Sequence, residues 1–158
     1  MILPIITEPN PILRQRALEI IPEEIKSSAI QKLIFDMKET VHPAGGIGLA
    51  APQVGLPLRL IIIALEDERI ALINPNITKF SWRKETAEEG CLSVPGKFGF
   101  VKRSKAIKVA AFNENGKKVE FRAKDLFARV IQHEIDHLNG VLFIDKAKKI
   151  TADNAPKI

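Results

Sequence analysis

The chain has 158 residues, 46% hydrophobic and 27% charged, with a net charge of +5 and a pI near 9.4. That length supports one core, and the composition excludes a disordered or fibrous chain. No apolar run reaches the roughly 20 residues that cross a bilayer, and the first residues lack the basic stretch of a signal peptide. The single cysteine, Cys91, excludes an internal disulfide and fits a reducing compartment. We expect one domain over residues 1–158, in the cytoplasm or, after removal of a transit peptide, in an organelle matrix.

In chain order, Asn10-Pro11 marks a helix start, with asparagine as the cap and proline in the first turn. A stronger helix follows Pro22, where Ile25, Ala29, Ile30, Leu33, Ile34, Met37 and Val41 recur at helical spacing until His42-Pro43. Gly45, Gly46 and Gly48, followed by small residues, suit a backbone that turns sharply and approaches something closely. Residues 58–65 and 69–73 read as strands, the second ended by Asn74-Pro75-Asn76. Residues 77–82 and 83–87 extend the sheet less firmly. Residues 106–112 and 117–123 form a hairpin about Asn113-Glu114-Asn115-Gly116. Asp125 is placed to cap a last helix and Gly140 to stop it, followed by a short apolar piece at 141–144. The expected fold is α+β, a mainly antiparallel sheet wrapped around one central helix.

That helix carries Gln132-His133-Glu134-Ile135-Asp136-His137. With 3.6 residues per turn, His133 and His137 project from one face and can grip one metal ion, with a carboxylate beside them. Hydrolytic sites of this kind keep three protein ligands and a water. The metzincin continuation is closed, because its third histidine position holds Phe143. Cys91 is the best candidate for the third ligand, with His42 and a distant carboxylate as alternatives. Spacing does not separate Glu134 from Asp136 as the proton acceptor, though the longer glutamate reaches further.

Three segments together resemble peptide deformylase: residues 46–53 (Gly46-Ile47-Gly48-Leu49-Ala50-Ala51-Pro52-Gln53), Glu89-Gly90-Cys91-Leu92-Ser93, and the histidine motif. Residues 9–14 and 140–145 also match, so the resemblance covers about residues 5–146, in the short bacterial and organellar form. It implies removal of the formyl group from the N-terminal formylmethionine of nascent polypeptides, with the metal held by Cys91, His133 and His137. Ferrous iron is the family habit, although this ligand set also takes zinc, nickel or cobalt. It further implies attack by metal-bound hydroxide, Glu134 as general base and then acid, and an oxyanion received by Gln53 and the Leu92 backbone N–H. Gly46, Ile47, Gly48, Gly90, Arg129 and Val130 would bind substrate, and Glu89 and Arg103 would brace the cysteine segment from behind. The chain departs from the family at Asp125, where glycine is frequent, and in the unfamiliar residues 96–100.

Lys146, Lys148, Lys149 and Lys157 oppose only Asp145 and Asp153. We read a solvated tail from about residue 147, with transient ribosome contact as the alternative use of the charge. No membrane partner and no sequence-specific nucleic acid is expected. A metallopeptidase and a catalytically silent ribosome-binding module compete with the deformylase reading. The first predicts cleavage of unformylated peptides, and the second binding without turnover.

Overall fold

The structure is a computed structural model, described here for residues 1–152. A 3₁₀ turn at Pro11–Arg14 is capped by Asn10, whose side chain accepts from the Ile12 N–H at 3.1 Å. Helix α1 spans Ser28–Val41, with Ser27 as its cap. The strands are β1 Gly48–Ala50, β2 Leu60–Leu65, β3 Glu68–Phe80, β4 Lys84–Cys91, β5 Val94–Ser104, β6 Ala106–Phe112 and β7 Lys118–Lys124. Helix α2 covers Asp125–Leu138, a single turn α3 covers Phe143–Lys146, and β8 closes the described chain at Lys148–Ala152. All strand pairings are antiparallel, in a five-stranded sheet of order β1-β2-β3-β6-β7 and a three-stranded sheet of order β4-β5-β8.

The continuous aliphatic run of β2 follows from burial on both faces. Ile61 and Ile63 pack with Ile107 and Val109 against Ala128, Ile131, Ile135 and Leu138 of α2. Leu60 and Ile62 point the other way, against Leu33, Ile34, Met37 and Val41 of α1. A third cluster, Leu13, Val94, Val101, Leu142 and Phe143, fastens the small sheet and includes the partly buried Cys91. Helix α2 is therefore the central helix, held between the two sheets.

Several expectations are corrected. Asn74-Pro75 does not end a strand: β3 continues to Phe80 through a register shift between Ile73 and Asn76, with Asn74 at φ 49°. Proline is tolerated at such a bulge because no ladder N–H is needed there. The Asn74 side chain also brackets the Ile20 backbone, accepting from its N–H at 2.8 Å and donating to its carbonyl at 2.7 Å. Residues 84–87 belong to the second sheet, not the first. Asp125 does not cap α2: Lys124 holds that position, and Asp125 is the first helical residue at φ 55°. That left-handed backbone is one that glycine adopts at no steric cost and aspartate tolerates. Residues 148–152, read as tail, pair with β5, and Lys146 donates to Asp136 Oδ1 at 3.0 Å. Asp153 and Lys157 lie outside the described residues.

Gly140 does end α2. At φ 73° it follows the capping residue Asn139, and a Cβ there would stand 2.4 Å from the Arg14 carbonyl oxygen. The close approach presses the end of α2 onto the N-terminal segment, where Ala17 N–H donates to Leu138 O at 2.8 Å. Arg59, 9% exposed, donates to the same carbonyl at 3.1 Å and to Asn139 Oδ1 at 3.0 Å. A cation at a helix C-terminus complements the dipole and satisfies carbonyls that the helix leaves open.

Candidate metal centre and active site

Helix α2 and the β4–β5 hairpin converge at Cys91, His133 and His137, whose ligand atoms all lie within 4.8 Å of one another. His137 Nε2 is 3.2 Å from Cys91 Sγ. Two further donors point at that sulfur, the Ser93 N–H at 3.4 Å and Gln53 Nε2 at 3.6 Å. His42 takes no part: it is exposed at the C-terminal end of α1.

Behind the cluster, Glu89 gathers four nitrogens. It accepts from His133 Nδ1 at 2.8 Å, Arg103 Nε at 2.6 Å, Arg103 Nη2 at 2.9 Å and Arg129 Nη1 at 2.6 Å. The bond to Nδ1 fixes the imidazole so that Nε2 faces the cluster. Glu89 and Arg103 are 8% and 4% exposed, so the pair is buried rather than solvated. Burial alone would raise the Glu89 carboxyl, but the hydrogen bonds from His133 and Arg103 hold it well below the usual carboxylate range. At His133 burial opposes the charged form, yet hydrogen bonds to Cys91 and Glu89 push the imidazole up to about 10. Burial, followed by the charge of His133, holds His137 well below its ordinary value. The surroundings thus favour positive charge at His133 and oppose it at His137, and one sulfur with two imidazoles is a donor set that suits a borderline divalent cation.

The cluster opens into a cleft of about 530 Å³. Gly46, Ile47, Gly48 and Gln53 form one wall; Glu89, Gly90, Cys91 and Leu92 the other; Arg129, Val130, His133 and Glu134 the floor. Every expected substrate-binding position thus faces one space, while His137 and Arg103 stand behind it. Glu134 is 4% exposed, and its Oε2 has no hydrogen-bond partner among the described residues. Burial pushes its carboxyl up to about 7. Asp136 is used differently, accepting from Arg103 Nη1 at 2.9 Å and from Lys146. Gln53, 1% exposed, is oriented at both ends: Oε1 accepts from the Ala50 N–H at 2.9 Å, and Nε2 donates to Ser93 Oγ at 3.1 Å. Arg129 lines the cleft, but its Nη1 and Nη2 also hold Glu89, Val101 O and Glu85 O.

The sequence model of the family described as polypeptide deformylase matches residues 2–153. The chain belongs to the peptide deformylase family. The peptide deformylase of Syntrophobacter fumaroxidans is 49% identical over 157 residues, covering 96% of this chain and 90% of that one. That of Syntrophomonas wolfei is 46% identical over 143 residues, covering 90% and 91%. The crystal structure of the Thermotoga maritima peptide deformylase superposes with a TM-score of 0.89 at 41% identity, covering 94% of this chain and 99% of that one. The Met-Ala-Ser-bound structure of the Acinetobacter baumannii class I type b peptide deformylase gives 0.89 at 35%, covering 92% and 98%. Peptide deformylases are metal-dependent hydrolases that remove the formyl group from nascent peptides, and this chain is an enzyme of that kind.

Sequence reasoning missed five cleft residues, Glu88, Val94, Lys97, Phe98 and Leu126, and read a sixth, Gly45, only as a turn. Leu126 was within reach, since it precedes Val130 by four residues and His133 by seven, on the same helical face. Lys97 and Phe98 carried no such signal, because β5 contains Pro95, Gly96 and Gly99 and does not read as a strand. The glycine of β1 has a specific use in this deformylase. A Cβ on Gly48 would lie 2.4 Å from Glu134 Oε1 and 2.9 Å from both Cδ and Cγ, so the whole acid side chain would have to move. With Glu134 as the expected proton acceptor, Gly48→Ala should lower kcat by about 100-fold, the cost of misplacing such a group by roughly 1 Å. The melting temperature should stay close to that of the parent. A kcat within threefold of the parent would show that Glu134 has room the structure does not indicate.

Proposed function

We propose that this chain, as one catalytic domain, deformylates formyl-methionyl nascent peptides in the cytoplasm. Cys91, His133 and His137 would hold one divalent ion, Fe²⁺ in the cell, with Zn²⁺, Ni²⁺ or Co²⁺ as substitutes. Such an ion supplies Lewis acidity, making a water more acidic and polarising the formyl oxygen. Glu134 takes the proton of the attacking water and later delivers it to the departing amine. Its burial beside the cluster, with one oxygen unpartnered, supports that role. The Gln53 amide and the Leu92 N–H receive the developing oxyanion, one such donor being worth about 3 kcal/mol in the transition state.

The peptide lies against residues 46–48 as an added strand, with Gly46, Ile47 and Gly48 beside its backbone and Gly90 opposite. Val130 and His133, together with Leu126, seat the methionine side chain, and Arg129 stands at the mouth. Glu89 and Arg103 hold His133 from behind. A basic surface is available for transient contact with the ribosome. The observation that carries this reading is that ligands, acid and amide converge on one cleft. Formate release from formyl-Met-Ala-Ser tests it, using protein purified without oxygen and assayed alongside its metal content. Rapid release that tracks iron is expected, and a fully loaded protein that releases none would overturn it.

A further inference from the structure

One face of the β4–β5 hairpin carries the cleft onward as an apolar platform. Gly90 pairs with Phe98 and Glu88 with Phe100, and residues paired in this way share a face. The residues that alternate with them, Glu89, Val101 and Arg103, are buried on the opposite face. There Glu89 accepts from His133 and Arg103 donates to Asp136, so that face looks towards α2. Phe98 and Phe100 therefore stand on the outer face. The Phe98 ring covers the bare backbone of Gly90: a Cβ there would lie 2.9 Å from its Cε1 and 3.0 Å from its Cδ1. Glu88, Gly90 and Phe98 all line the cleft, while Phe100, 41% exposed, continues the surface outside it.

A lone exposed phenylalanine needs no explanation, but two on one face at the rim of a cleft form a surface that something should cover. Continuity with the cleft identifies the occupant. Strand β4 is the edge of its sheet, so its free side can take another strand. A peptide whose formyl end lies at Cys91 leaves along β4, past Gly90 and then Glu88. With the methionine side chain turned down towards α2, alternation turns the second and fourth side chains up, onto the face of Phe98 and Phe100. Two residues of an extended peptide and two of β5 span about the same 6.6 Å. The second side chain then meets Phe98, and the fourth meets Phe100. Phe100 stands between Glu88 of β4 and Lys148 of β8, whose charges offset one another. Such a surface suits an apolar or aromatic side chain better than an acidic or a basic one.

We propose that the outer face of β4 and β5, at Phe98 and Phe100, docks the nascent chain downstream of its methionine. The enzyme then favours substrates with apolar or aromatic side chains at the second and fourth positions. This preference rests on the deformylase reading of the cleft and on a peptide that runs along β4.

Formate release by the metal-loaded enzyme from three C-terminally amidated peptides tests it: formyl-Met-Ala-Ser-Ala, formyl-Met-Phe-Ser-Ala and formyl-Met-Ala-Ser-Phe. Phenylalanine at the second or the fourth position should raise kcat/KM by about tenfold over the alanine peptide, mainly through KM. Phe98→Ser should cut the second-position gain to below about threefold and keep the fourth-position gain, and Phe100→Ser should do the reverse. Taking the ratio of two peptides within each protein removes any general loss of activity or of folding. Equal kcat/KM for the three peptides, or gains that survive in the matching variant, would overturn the platform and leave the deformylase reading standing. A loaded protein that released formate from none of them would overturn both.

Discussion

Replacing Glu134 with glutamine is expected to lower kcat by a factor of about 10² to 10⁴, the range supplied by a positioned acid–base group. The substitution keeps the shape of a side chain that is 4% exposed and packed against Gly48, so neither cleft wall should move. It leaves Cys91, His133 and His137 untouched, and metal content should match the parent. KM for formyl-Met-Ala-Ser should change little, because in the proposed mechanism the acid acts on water and the leaving amine and not on the bound peptide chain. A variant that kept a tenth or more of the parent kcat would point to another proton acceptor. Asp136 is poorly placed to be that acceptor, since both of its oxygens are occupied by Arg103 and Lys146.

The same substitution has a second consequence in the metal-free protein. Burial raises the Glu134 carboxyl from its ordinary value to about 7, so the folded state disfavours its ionised form. The ionised form begins to oppose folding above pH 4.5, the ordinary value, and does so fully above about 7. Glutamine removes that opposition. The stability gained by Glu134→Gln should therefore be negligible at pH 4, grow through the window up to about 7, and level off beyond it. Thermal melts of both metal-free proteins across that range measure the difference. A gain that shrank with rising pH would mean the carboxylate is stabilised by partners in the folded chain.

The site was more legible in the sequence than the sheets were. Helical spacing puts His133 and His137 on one face whatever surrounds them, because the α-helix is a local structure with fixed geometry. The uninterrupted aliphatic run of β2 likewise reports burial on two faces. Strand β5 was invisible, since Pro95, Gly96 and Gly99 suppress the pattern and its pairing with β4 is decided by tertiary contacts. The bulge at Asn74 misled for a related reason: asparagine and proline mark turns in isolation, whereas here Asn74 is held by Ile20, 54 residues away. Asp125 looked like a cap because aspartate is among the residues favoured at that position. Its left-handed backbone is imposed by the tight passage from β7 into α2, where its N–H donates to Lys105 O at 2.8 Å. The fourfold use of Glu89 could not be read from composition either. Its partners come from β5 and α2, and only folding brings them to one carboxylate.

Cys91→Ser is expected to be the most damaging single change to the proposed metal centre. The sulfur sits 3.2 Å from His137 Nε2 and accepts from the Ser93 N–H and the Gln53 amide, so its position is set from three directions. A serine oxygen is smaller, its bonds are shorter, and it stays protonated where a thiol can ionise. A ligand set with a soft thiolate would become one with a hard, neutral hydroxyl, against the preference of ferrous iron and zinc at such sites. Losing an outer-shell partner of a metal ligand costs about 10- to 100-fold in affinity or activity. Losing a ligand itself should exceed that range, leaving turnover more than about 100-fold down and metal stoichiometry well below one per chain. Folding should survive, because Cys91 is only a partly buried margin of the cluster built on Leu13, Val94, Val101, Leu142 and Phe143. Metal analysis and formate release on oxygen-free preparations of both proteins decide the matter. Unchanged metal content together with an unchanged rate would place the third ligand elsewhere and detach the β4–β5 hairpin from the chemistry.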